Sequence, residues 1–574
     1  MLVLRGIPAS QGIAIGPGFL YRTTFSVPVR TTVADPAKEL ERLHEALQKA
    51  KQELEEVYQN ALISVGPESA EIFNAHLMML DDPDLLESVE QKIMTESVNA
   101  DAAFYEAAET YAEMMQALTD EYLRARAADI RDIAARVVRI LQHVSAPDTK
   151  LSRPTILMAE DLAPSDTMQF DRSLILGFFT ERGGTTSHTA ILSRALGIPA
   201  VVGAGALPPL LSEEARFILD GNQGELIIDP DEETLKEYQK RQQGQLEKSR
   251  QALATAFNPA VTQDFHQVEV VANIGNLDDA KNAIANGAEG VGLFRTEFSY
   301  IDRQVIPTEE ELVQTYAAIF QTFGVHPVVV RTLDIGGDKE MPHLRLPQES
   351  NPFLGCRGIR LCLSREDLFK PQLRAILRAG VGVNLCIMFP MIATVDEVKR
   401  GRAVLEECLA ELVSENKTHH PKPQVGIMVE VPAAAVCADQ LAKVVDFFSI
   451  GTNDLTQYTM AVDRGNASVS YLVSALQPAV LRLIKQVIER GHEAGIWVGM
   501  CGEMAGEPLA IPLLLGFGLD EFSMNPPAIP RAKEIIRSWD TQQARLLAEQ
   551  AINCVTPAEV EALVSHWIHP VESA

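Results

Sequence analysis

The sequence predicts a multidomain α/β protein, in which an α/β domain is interrupted by a helical bundle and followed by a (β/α)8 barrel. Three observations lead to this fold class. The chain has 574 residues, more than one hydrophobic core usually serves. Helical periodicity fills a long region between two stretches of strand-like runs. From residue 265 onward, apolar runs alternate with helical segments, which is the pattern of parallel βα units.

Residues 1–22 and 147–230 together predict the α/β domain. The opening stretch "GIPASQGIAIGPGFLY" alternates apolar residues with Gly and Pro, which is typical of short strands and turns. Strand-like runs resume at residue 155 with "TILMAED", "LILGFFTERGG" and "AVVGAG". The stretch "RFILDGNQGELIID" predicts a hairpin around residues 221–224.

Residues 23–146 predict the inserted helical bundle. Asp35 and Pro36 are a helix start, with Asp as the cap and Pro in the first turn. Apolar residues then recur at a spacing of three to four, as in a helical seam. They are Leu40, Leu43, Leu47, Ala50, Leu54 and Val57.

Residues 231–262 predict a linker helix. The stretch 231–256 is highly charged and has no broad apolar face, which is typical of a solvated connection between movable parts. We therefore expect the preceding domain to swivel relative to residues 263–574.

Residues 263–574 predict the barrel, because eight apolar runs span about 300 residues. The runs are "VEVVAN", "GVGLFR", "VVVRTLD", "GCRGIR", "NLCIMFP", "VGIMVE", "FFSIGTND" and "WVGMCGE".

Composition excludes several classes of protein. There is no run of 18 apolar residues and no secretory leader at Met1, so we expect a cytoplasmic protein without membrane insertion. The seven cysteines contain no CxxC pair, as suits a reducing compartment. A net charge of −28 disfavours nucleic acid as a partner. Residues 52–91 hold ten acidic and no basic residues, either as a solvated helical face or as a docking surface for a basic protein.

The active site of such a barrel lies at the C-terminal ends of its strands, so the residues that end each run are informative. Arginines there suggest a multiply charged anion, although each could instead be a salt-bridge partner. The residues at the run ends are Asn273, Arg295, Arg331, Arg357, Pro390, Glu430, Asn453, Asp454, Cys501, Gly502 and Glu503, and Lys339 and Arg464 could add to the positive field.

Two of these groups suggest further chemistry. Glu430 and Asp454 end adjacent strands and could bind Mg²⁺ together with substrate oxygens, or could simply pair with the arginines. Cys501 is either a buried structural thiol or a proton donor.

The stretch "GGTTSHTAILSR" places His188 at the start of a predicted helix, after two glycines and three hydroxyl residues. Free N–H groups at a helix start suit an anion, so this histidine could become phosphorylated. A capping or core histidine is the alternative. A metal site is disfavoured, because Ile191 and Leu192 occupy the positions where a second ligand would be needed.

Several motifs resemble those of phosphoenolpyruvate-utilising enzymes, and the whole chain is similar to the Enzyme I family of the bacterial phosphoenolpyruvate:sugar phosphotransferase system. The phosphohistidine signature of these enzymes is similar to "GGTTSHTAILSR", and their metal-site signature to "VDFFSIGTNDLTQY". Further blocks are "GLFRTEF", "RTLDIGGDK", "NPFLGCRGIR", "EVPAA" and "GMCGE". The stretches "EIFNAHLMMLDDPDL" and "RAADIRDIAAR" resemble the helical subdomain specific to Enzyme I.

The resemblance implies an enzyme that transfers the phosphoryl group of phosphoenolpyruvate to His188 and onward to the carrier protein HPr. It implies that Mg²⁺ is the cofactor, that the acidic helical subdomain docks HPr, and that the barrel forms a homodimer. It assigns phosphoenolpyruvate binding to Arg295, Arg331, Arg357, Asn453 and Arg464, Mg²⁺ binding to Glu430 and Asp454, and proton donation to Cys501.

Three positions depart from or add to the family pattern. Thr185 stands where Enzyme I usually has arginine, and Cys356 where an aromatic residue is common. His76 in the helical subdomain is expected to be structural or part of an interface.

The sequence leaves three rival functions to consider against this one. A nucleotide-dependent relative would need an ATP-binding domain, for which the sequence has no Walker-type loop. A sensor of phosphoenolpyruvate would need an extra sensory domain. A barrel lyase using Mg²⁺ would leave the helical insertion unexplained.

Overall fold

The computed structural model describes residues 1–21, 26–64, 73, 76–116, 121–144, 151–162, 167, 170–184, 187–207, 215–301, 305–336, 344, 349–464 and 467–568. The chain forms two compact units, Met1–Leu246 and Glu247–Ala574. In the described ranges, no helix combines the length and the apolar character needed to span a membrane.

The first unit contains an eight-stranded mixed sheet in the order β1-β8-β7-β3-β4-β5-β6-β2. Its strands are β1 (Leu2–Arg5), β2 (Ile7–Ser10), β3 (Ile13–Tyr21), β4 (Thr155–Ala159), β5 (Ile175–Thr180), β6 (Ala200–Val202), β7 (Arg216–Asp220) and β8 (Glu225–Ile228). Strands β7 and β8 pair antiparallel across the turn predicted at 221–224. The sheet therefore joins the first 21 residues to those beyond residue 155.

The region between β3 and β4 is helical. The helices are α1 (Pro36–Ser64), α2 (Pro83–Glu96), α3 (Ala100–Gln116) and α4 (Glu121–Leu141), with a further helical stretch at residues 76–80. The predicted seam of α1 is confirmed, since Leu43, Leu47, Ala50 and Leu54 are buried in one core and its two outer members, Leu40 and Val57, pack against that core. The helix start is also as predicted, because Asp35 Oδ1 accepts a hydrogen bond from the Lys38 N–H at 3.3 Å.

Helix α5 (His188–Leu196) and helix α6 (Glu232–Ala254) complete the first set of helices. Helix α6 ends at Ala254, short of residue 262, and Ala260–Val261 form a short strand, β9, that pairs with the first barrel strand. The expected absence of a broad apolar face holds for most of α6, but Tyr238 and Ala252 are buried.

The second unit is a closed barrel of eight parallel strands. They are β10 (Gln267–Ile274), β11 (Val291–Arg295), β12 (Pro327–Arg331), β13 (Asn384–Phe389), β14 (Gln424–Val429), β15 (Phe447–Ile450), β16 (Trp497–Met500) and β17 (Glu521–Met524). Each strand pairs in parallel with the next, and β10 pairs with both β17 and β11, which closes the barrel.

Helices surround these strands. They are α7 (Leu277–Ala285), α8 (Phe298–Ile301), α9 (Glu309–Phe323), α10 (Ile359–Ser364), α11 (Glu366–Ala379), α12 (Val395–Ser414), α13 (Pro432–Val436), α14 (Ala438–Leu441), α15 (Thr452–Met460), α16 (Pro478–Glu493), α17 (Ile511–Phe517), α18 (Ile529–Ser538), α19 (Thr541–Ala551) and α20 (Pro557–Ile568). Short 3₁₀ turns lie at Arg172–Leu174, Pro352–Leu354, Ala467–Leu472, Glu503–Gly506 and Pro526–Ala528.

The number of barrel strands predicted from the sequence is confirmed, but one of the eight assignments is wrong. The run "GCRGIR" is not a strand: Gly358 has a φ of 58° and caps helix α10. The missing strand is β17, "EFSM", which is short and includes a glutamate and a serine although all four of its residues are buried. Its polar composition is the reason that an apolar-run criterion passed over it.

That glutamate is a notable feature of the barrel interior. Glu521 is 2 % exposed, and its Oε1 has no hydrogen-bond partner among the described residues. A Cβ placed at Gly292 or Gly499 would lie 2.7 Å from this oxygen, so the two glycines make room for the carboxyl group. Burial, followed by the charges of Glu269 and Asp520, raises the pKa of Glu521 to about 8.

Candidate active site

The predicted histidine is the first residue of helix α5. Ser187 is the N-cap, and its hydroxyl accepts a hydrogen bond from the Ala190 N–H at 3.4 Å. The backbone of His188 therefore lies at the N-terminus of α5, as the sequence predicted. Thr185, Thr186 and the side chain of His188 lie outside the part of the chain that the structure describes.

The glycine before this helix is required by its conformation. Gly183 has a φ of 102°, and a Cβ there would lie 3.1 Å from the Ser187 hydroxyl oxygen. Gly203 approaches the same loop, because a Cβ at that position would lie 2.7 Å from the carbonyl oxygen of Gly183. The loop that leads into α5 is therefore held close against the end of β6.

In the second unit, the C-terminal mouth of the barrel holds a cavity of about 710 Å³. Its walls include eight of the nine residues to which the resemblance assigns a role. These are Arg295, Arg331, Arg357, Glu430, Asn453, Asp454, Arg464 and Cys501. The ninth, His188, belongs to the first unit. Lys339, a further sequence candidate, lies outside the described residues.

Arg331 is almost fully buried at the end of β12. Its Nη2 pairs with Glu297, which follows β11, and its Nη1 lies 3.1 Å from Asp334 Oδ2. Burial alone lowers the pKa of Arg331, but Glu297 and Asp334 raise it by more, so the net shift is upward. The guanidinium therefore stays charged inside the barrel mouth.

Arg357 is also buried, although it comes from the loop before α10 rather than from a strand. Its Nη1 lies 3.4 Å from Asp454 Oδ1 and donates to the Tyr458 hydroxyl at 3.3 Å. Burial opposes its charge, but Asp334 and Asp454 outweigh that effect and raise its pKa. Arg331 and Arg357 therefore form salt bridges, as the alternative interpretation of the arginines predicted.

Glu430 follows β14 and is 1 % exposed. Its Oε1 accepts a hydrogen bond from the Met391 N–H at 2.6 Å. Met391 has a φ of 59°. This backbone conformation costs a non-glycine residue about 1–3 kcal/mol. The Met391 N–H therefore points at the carboxylate from an unfavourable backbone conformation. Burial, then the nearby charges of Asp454 and Asp334, raises the pKa of Glu430.

The two carboxylates fit a divalent cation. Asp454 is 8 % exposed and raises the pKa of Glu430 through its negative charge, so the pair carries mutual repulsion that a cation would relieve. Among the described residues, no group of three or more His, Cys, Asp and Glu side chains could hold a metal ion. A cation held by Glu430 and Asp454 would therefore take its other ligands from substrate oxygens and water.

Cys501 follows β16 and is 4 % exposed. Its Sγ lies 3.8 Å from the carbonyl oxygen of Ile450. Burial raises the pKa of this thiol to about 11, so it carries a proton at neutral pH. The thiol is buried, as the structural interpretation of Cys501 predicts, and it also lines the cavity, as the proton-donor interpretation requires.

The remaining candidates lie at the edge of the cavity. Asn453 and Glu503 hold each other, because Asn453 Nδ2 donates to Glu503 Oε1 at 3.3 Å and the Glu503 N–H donates to Asn453 Oδ1 at 3.2 Å. Arg295 ends β11, and the Arg464 N–H donates to Gln457 Oε1 at 3.2 Å in the loop after α15. The cavity thus gathers four guanidinium groups, a buried thiol and four buried carboxylates, which are those of Glu297, Asp334, Glu430 and Asp454.

Three family models match the chain. Residues 5–126 match "PEP-utilising enzyme, N-terminal", residues 151–224 match "PEP-utilising enzyme, mobile domain", and residues 249–541 match "PEP-utilising enzyme, PEP-binding domain". The chain belongs to the PEP-utilising enzyme family. The family's mobile-domain model covers His188, and its PEP-binding model covers all eight of the predicted residues that line the barrel mouth.

Relatives within the PEP-utilising enzyme family match over almost their full length. The phosphoenolpyruvate-protein phosphotransferase of Bacillus subtilis (strain 168) is 48% identical over 98% of this chain and 99% of its own. The protein of the same name from Geobacillus stearothermophilus is 49% identical over 98% of this chain and 97% of its own. An NMR solution structure of Enzyme I (nEIt) is 40% identical, with a TM-score of 0.38, over 42% of this chain and 98% of that one.

Two buried acidic residues of this family member's cavity were missed from the sequence. Glu297 and Asp334 line the mouth and hold the buried arginines. Both stand in quoted motifs, "GLFRTEF" and "RTLDIGGDK", two or three residues after an arginine. A search that continued past the last strand residue would have found them, because a buried guanidinium needs a carboxylate partner.

Proposed function

We propose that this protein transfers the phosphoryl group of phosphoenolpyruvate to His188, releases pyruvate, and passes the phosphoryl group on to the carrier protein HPr. This is the phosphoenolpyruvate-protein phosphotransferase reaction, the first step of sugar uptake by the phosphotransferase system. The named relatives, similar over nearly their whole length, support the proposal.

Four guanidinium groups, four buried carboxylates and a buried thiol line a single cavity, and this arrangement is the main chemical support for the proposal. Phosphoenolpyruvate carries a phosphate and a carboxylate, and guanidinium groups bind both in a bidentate manner. Arg295, Arg331, Arg357 and Arg464 supply that positive charge, with Asn453 as a neutral donor. Phosphoryl transfer depends mainly on such positioning and charge neutralisation.

An imidazole nitrogen of His188 attacks phosphorus in line, the new P–N bond forms and the P–O bond to the enol oxygen breaks, leaving the electron pair on that oxygen. The Cys501 thiol then gives its proton to C3 of the enolate, which becomes pyruvate. The thiolate regains a proton from water. The raised pKa of Cys501 keeps the donor protonated at the start of each cycle.

Enzymes of this family generally need a divalent metal, and we propose Mg²⁺ bound by Glu430 and Asp454. When bound, Mg²⁺ would neutralise charge on the phosphate and enolate oxygens. The chain's own contribution is to hold the two carboxylates at the mouth: the Met391 N–H fixes Glu430, and Arg357 contacts Asp454.

We propose that HPr, a basic carrier, docks on the helical segment between β3 and β4. One acidic residue of this segment is already paired with positive charge, since Glu53 forms ion pairs with Arg136 and Arg139. Glu90 lies 3.1 Å from His44. Others are exposed and available to a partner: Glu55, Glu56, Asp84 and Glu87. Two more of the acidic run, Glu68 and Glu71, lie outside the described residues.

His76 is buried within that segment, which favours a structural role for it. It is fully buried, and its ring nitrogens lie 3.4 Å from Asp129 and 3.8 Å from Asp132. We further propose a homodimer formed through the barrel and a cytoplasmic location, in keeping with seven free cysteines.

The proposed transfer can be tested with labelled phosphoenolpyruvate and Mg²⁺ in the absence of nucleotide. The wild-type chain is expected to take up acid-labile, alkali-stable phosphate, and the His188→Ala variant none. His566→Ala is a matched control, because that histidine is exposed on the last helix. Adding HPr should remove the label from the wild-type protein.

The outcomes separate the rival functions. A wild-type chain that takes up no label without nucleotide, or a His188→Ala variant that takes up as much as wild type, would overturn the proposal. Label that stays on the protein in the presence of HPr would limit the proposal to its first half-reaction and point to a different acceptor.

A further inference from the structure

The peptide group that joins Cys501 to Gly502 is hydrogen-bonded at both ends. Its carbonyl oxygen accepts from Asn273 Nδ2 at 3.0 Å, and its N–H donates to the Ile450 carbonyl at 3.3 Å. Ile450 ends the neighbouring strand β15, whereas Asn273 lies on β10, two strands away on the other side. The thiol-bearing residue is therefore held from both directions around the barrel.

Asn273 is itself oriented by a third strand. The Ser523 hydroxyl on β17 donates to Asn273 Oδ1 at 2.6 Å. A backbone carbonyl can only accept, so the amide must turn its Nδ2 toward Cys501 and its Oδ1 toward Ser523. Both residues are buried, at 7 % and 0 % exposure, so water does not compete for these bonds.

The residue after Cys501 explains why such a restraint is needed. A Cβ at Gly502 would lie 1.9 Å from Thr452 Oγ1, so only glycine fits. Glycine also gives the preceding peptide group the freedom to rotate, because φ values of either sign are accessible to it. Rotation of this peptide would redirect the Cα–Cβ bond of Cys501 and with it the thiol.

We propose that Asn273, oriented by Ser523, is a positioning residue that fixes the Cys501–Gly502 peptide and so directs the Cys501 proton to one face of the enolate. The proposal rests on the proton-donor role of Cys501 in the proposed function. Asn273 touches neither the cavity nor the reacting atoms, and acts through the backbone of the proton donor.

The test follows the stereochemistry of protonation. The full-length protein is supplied with (Z)-3-fluorophosphoenolpyruvate, Mg²⁺ and an excess of HPr as the phosphoryl acceptor in D₂O. The fluoropyruvate is reduced at once to fluorolactate by lactate dehydrogenase and NADH, and the diastereomer ratio is read by ¹⁹F NMR. Wild type should give one dominant diastereomer. Asn273→Ala should move the ratio toward equality and slow turnover about tenfold, because misplaced groups lose much of their effectiveness, with less than about a twofold change in KM.

A matched control uses the asparagine three residues later. Asn276 caps helix α7, accepting from the Asp279 N–H at 2.9 Å, and does not contact Cys501. Asn276→Ala should lower the melting temperature but leave the diastereomer ratio as in wild type. Ser523→Ala should shift the ratio in the same direction as Asn273→Ala, and it serves as the second variant if Asn273→Ala does not fold.

The outcomes distinguish this proposal from the proposed function. Asn273→Ala and Ser523→Ala variants with the wild-type ratio would overturn the positioning role. A wild-type chain that forms phosphohistidine but yields both diastereomers equally would overturn directed protonation and leave the transfer reaction standing. A wild-type chain that forms no phosphohistidine would instead overturn the proposed function itself.

Discussion

Asp334 contacts the guanidinium of Arg357 through both carboxylate oxygens, with Nη2 lying 3.1 Å from Oδ2 and 3.3 Å from Oδ1. The same Oδ2 lies 3.1 Å from Arg331 Nη1. One buried carboxylate therefore spaces two of the four guanidinium groups in the barrel mouth. The distance between the positive charges that would meet the substrate is set by a residue of opposite charge.

Replacing Asp334 should disturb both arginines together. In Asp334→Asn the side chain keeps its size but loses the negative charge that pairs with both guanidinium groups and offsets their mutual repulsion. We expect kcat/KM for phosphoenolpyruvate to fall about 100-fold, or about 3 kcal/mol, measured by pyruvate release with HPr present as the phosphoryl acceptor. Asp367→Asn is the control, because Asp367 makes a comparable contact with Arg365 on the surface. Equal activity in the two variants would contradict this role.

Removing the Cys501 thiol should separate protonation from binding. Cys501→Ala is expected to lower kcat for pyruvate formation by about 100-fold or more, in line with the loss of a positioned proton donor, with little change in KM. Since burial raises the thiol pKa to about 11, wild-type turnover should show no loss from thiol ionisation between pH 7 and about pH 10. Cys386→Ala, at another buried barrel thiol, is the control. Comparable losses in both variants would indicate packing defects.

Metal binding should strengthen as pH rises. Burial and the charges of Asp454 and Asp334 raise the pKa of Glu430, so without metal its carboxyl tends to hold a proton that a cation must displace. Calorimetric titration with Mg²⁺ should give tighter binding at pH 8.5 than at pH 6.5. Glu430→Gln should weaken binding about tenfold or more and remove the pH dependence, whereas Glu561→Gln, elsewhere on the cavity wall, should not. Unchanged affinity in Glu430→Gln would place the metal elsewhere.

The stability of the barrel should fall as pH rises toward 8. The folded pKa of Glu521 is about 8, above the usual 4.5, so between those values the folded state holds a proton that the unfolded chain has lost. The stabilisation is complete below the unfolded pKa and is lost as pH rises through the folded pKa. Glu521→Gln should therefore melt at a higher temperature than wild type at pH 8.5, and its melting temperature should depend less on pH between about 5.5 and 8.5. Glu489→Gln is the control, because Glu489 lies on the surface of α16, and this variant should behave as wild type. If the melting temperature of Glu521→Gln depended on pH as that of wild type does, a buried proton on Glu521 would be contradicted.

The architecture could be predicted from periodicity alone to a large extent. The spacing along α1 gave its buried seam, and nine of the eleven residues selected at the ends of the runs line one cavity. These successes have a common cause, since parallel strands that close into a barrel bring their C-terminal ends to one face. The strand assignment failed at β17, because this strand is buried although it contains the polar residues Glu521 and Ser523.

The carboxylates that organise the arginines could not be assigned from strand ends. Glu297 and Asp334 lie in the loops beyond β11 and β12, where no periodic pattern applies. Arg357 was selected for a wrong reason, as the end of a strand that does not exist, yet it reaches the cavity from the loop before α10. Its position depends on ion pairs with residues distant in sequence, which a local pattern does not contain.

The helical segment occupies a place that constrains how the chain can change. Strands β3 and β4 are neighbours and run parallel, with Gly18 opposite Ile156 and Tyr21 opposite Ala159. A parallel pair needs a crossover connection of a dozen residues or more, since no tight turn can join the end of one strand to the start of the next. Helices α1 to α4 supply that crossover. A shortened chain could lose most of these helices and keep its sheet only if a connection of about a dozen residues remained. The proposed carrier-docking surface therefore lies on a connection that the fold requires in any case.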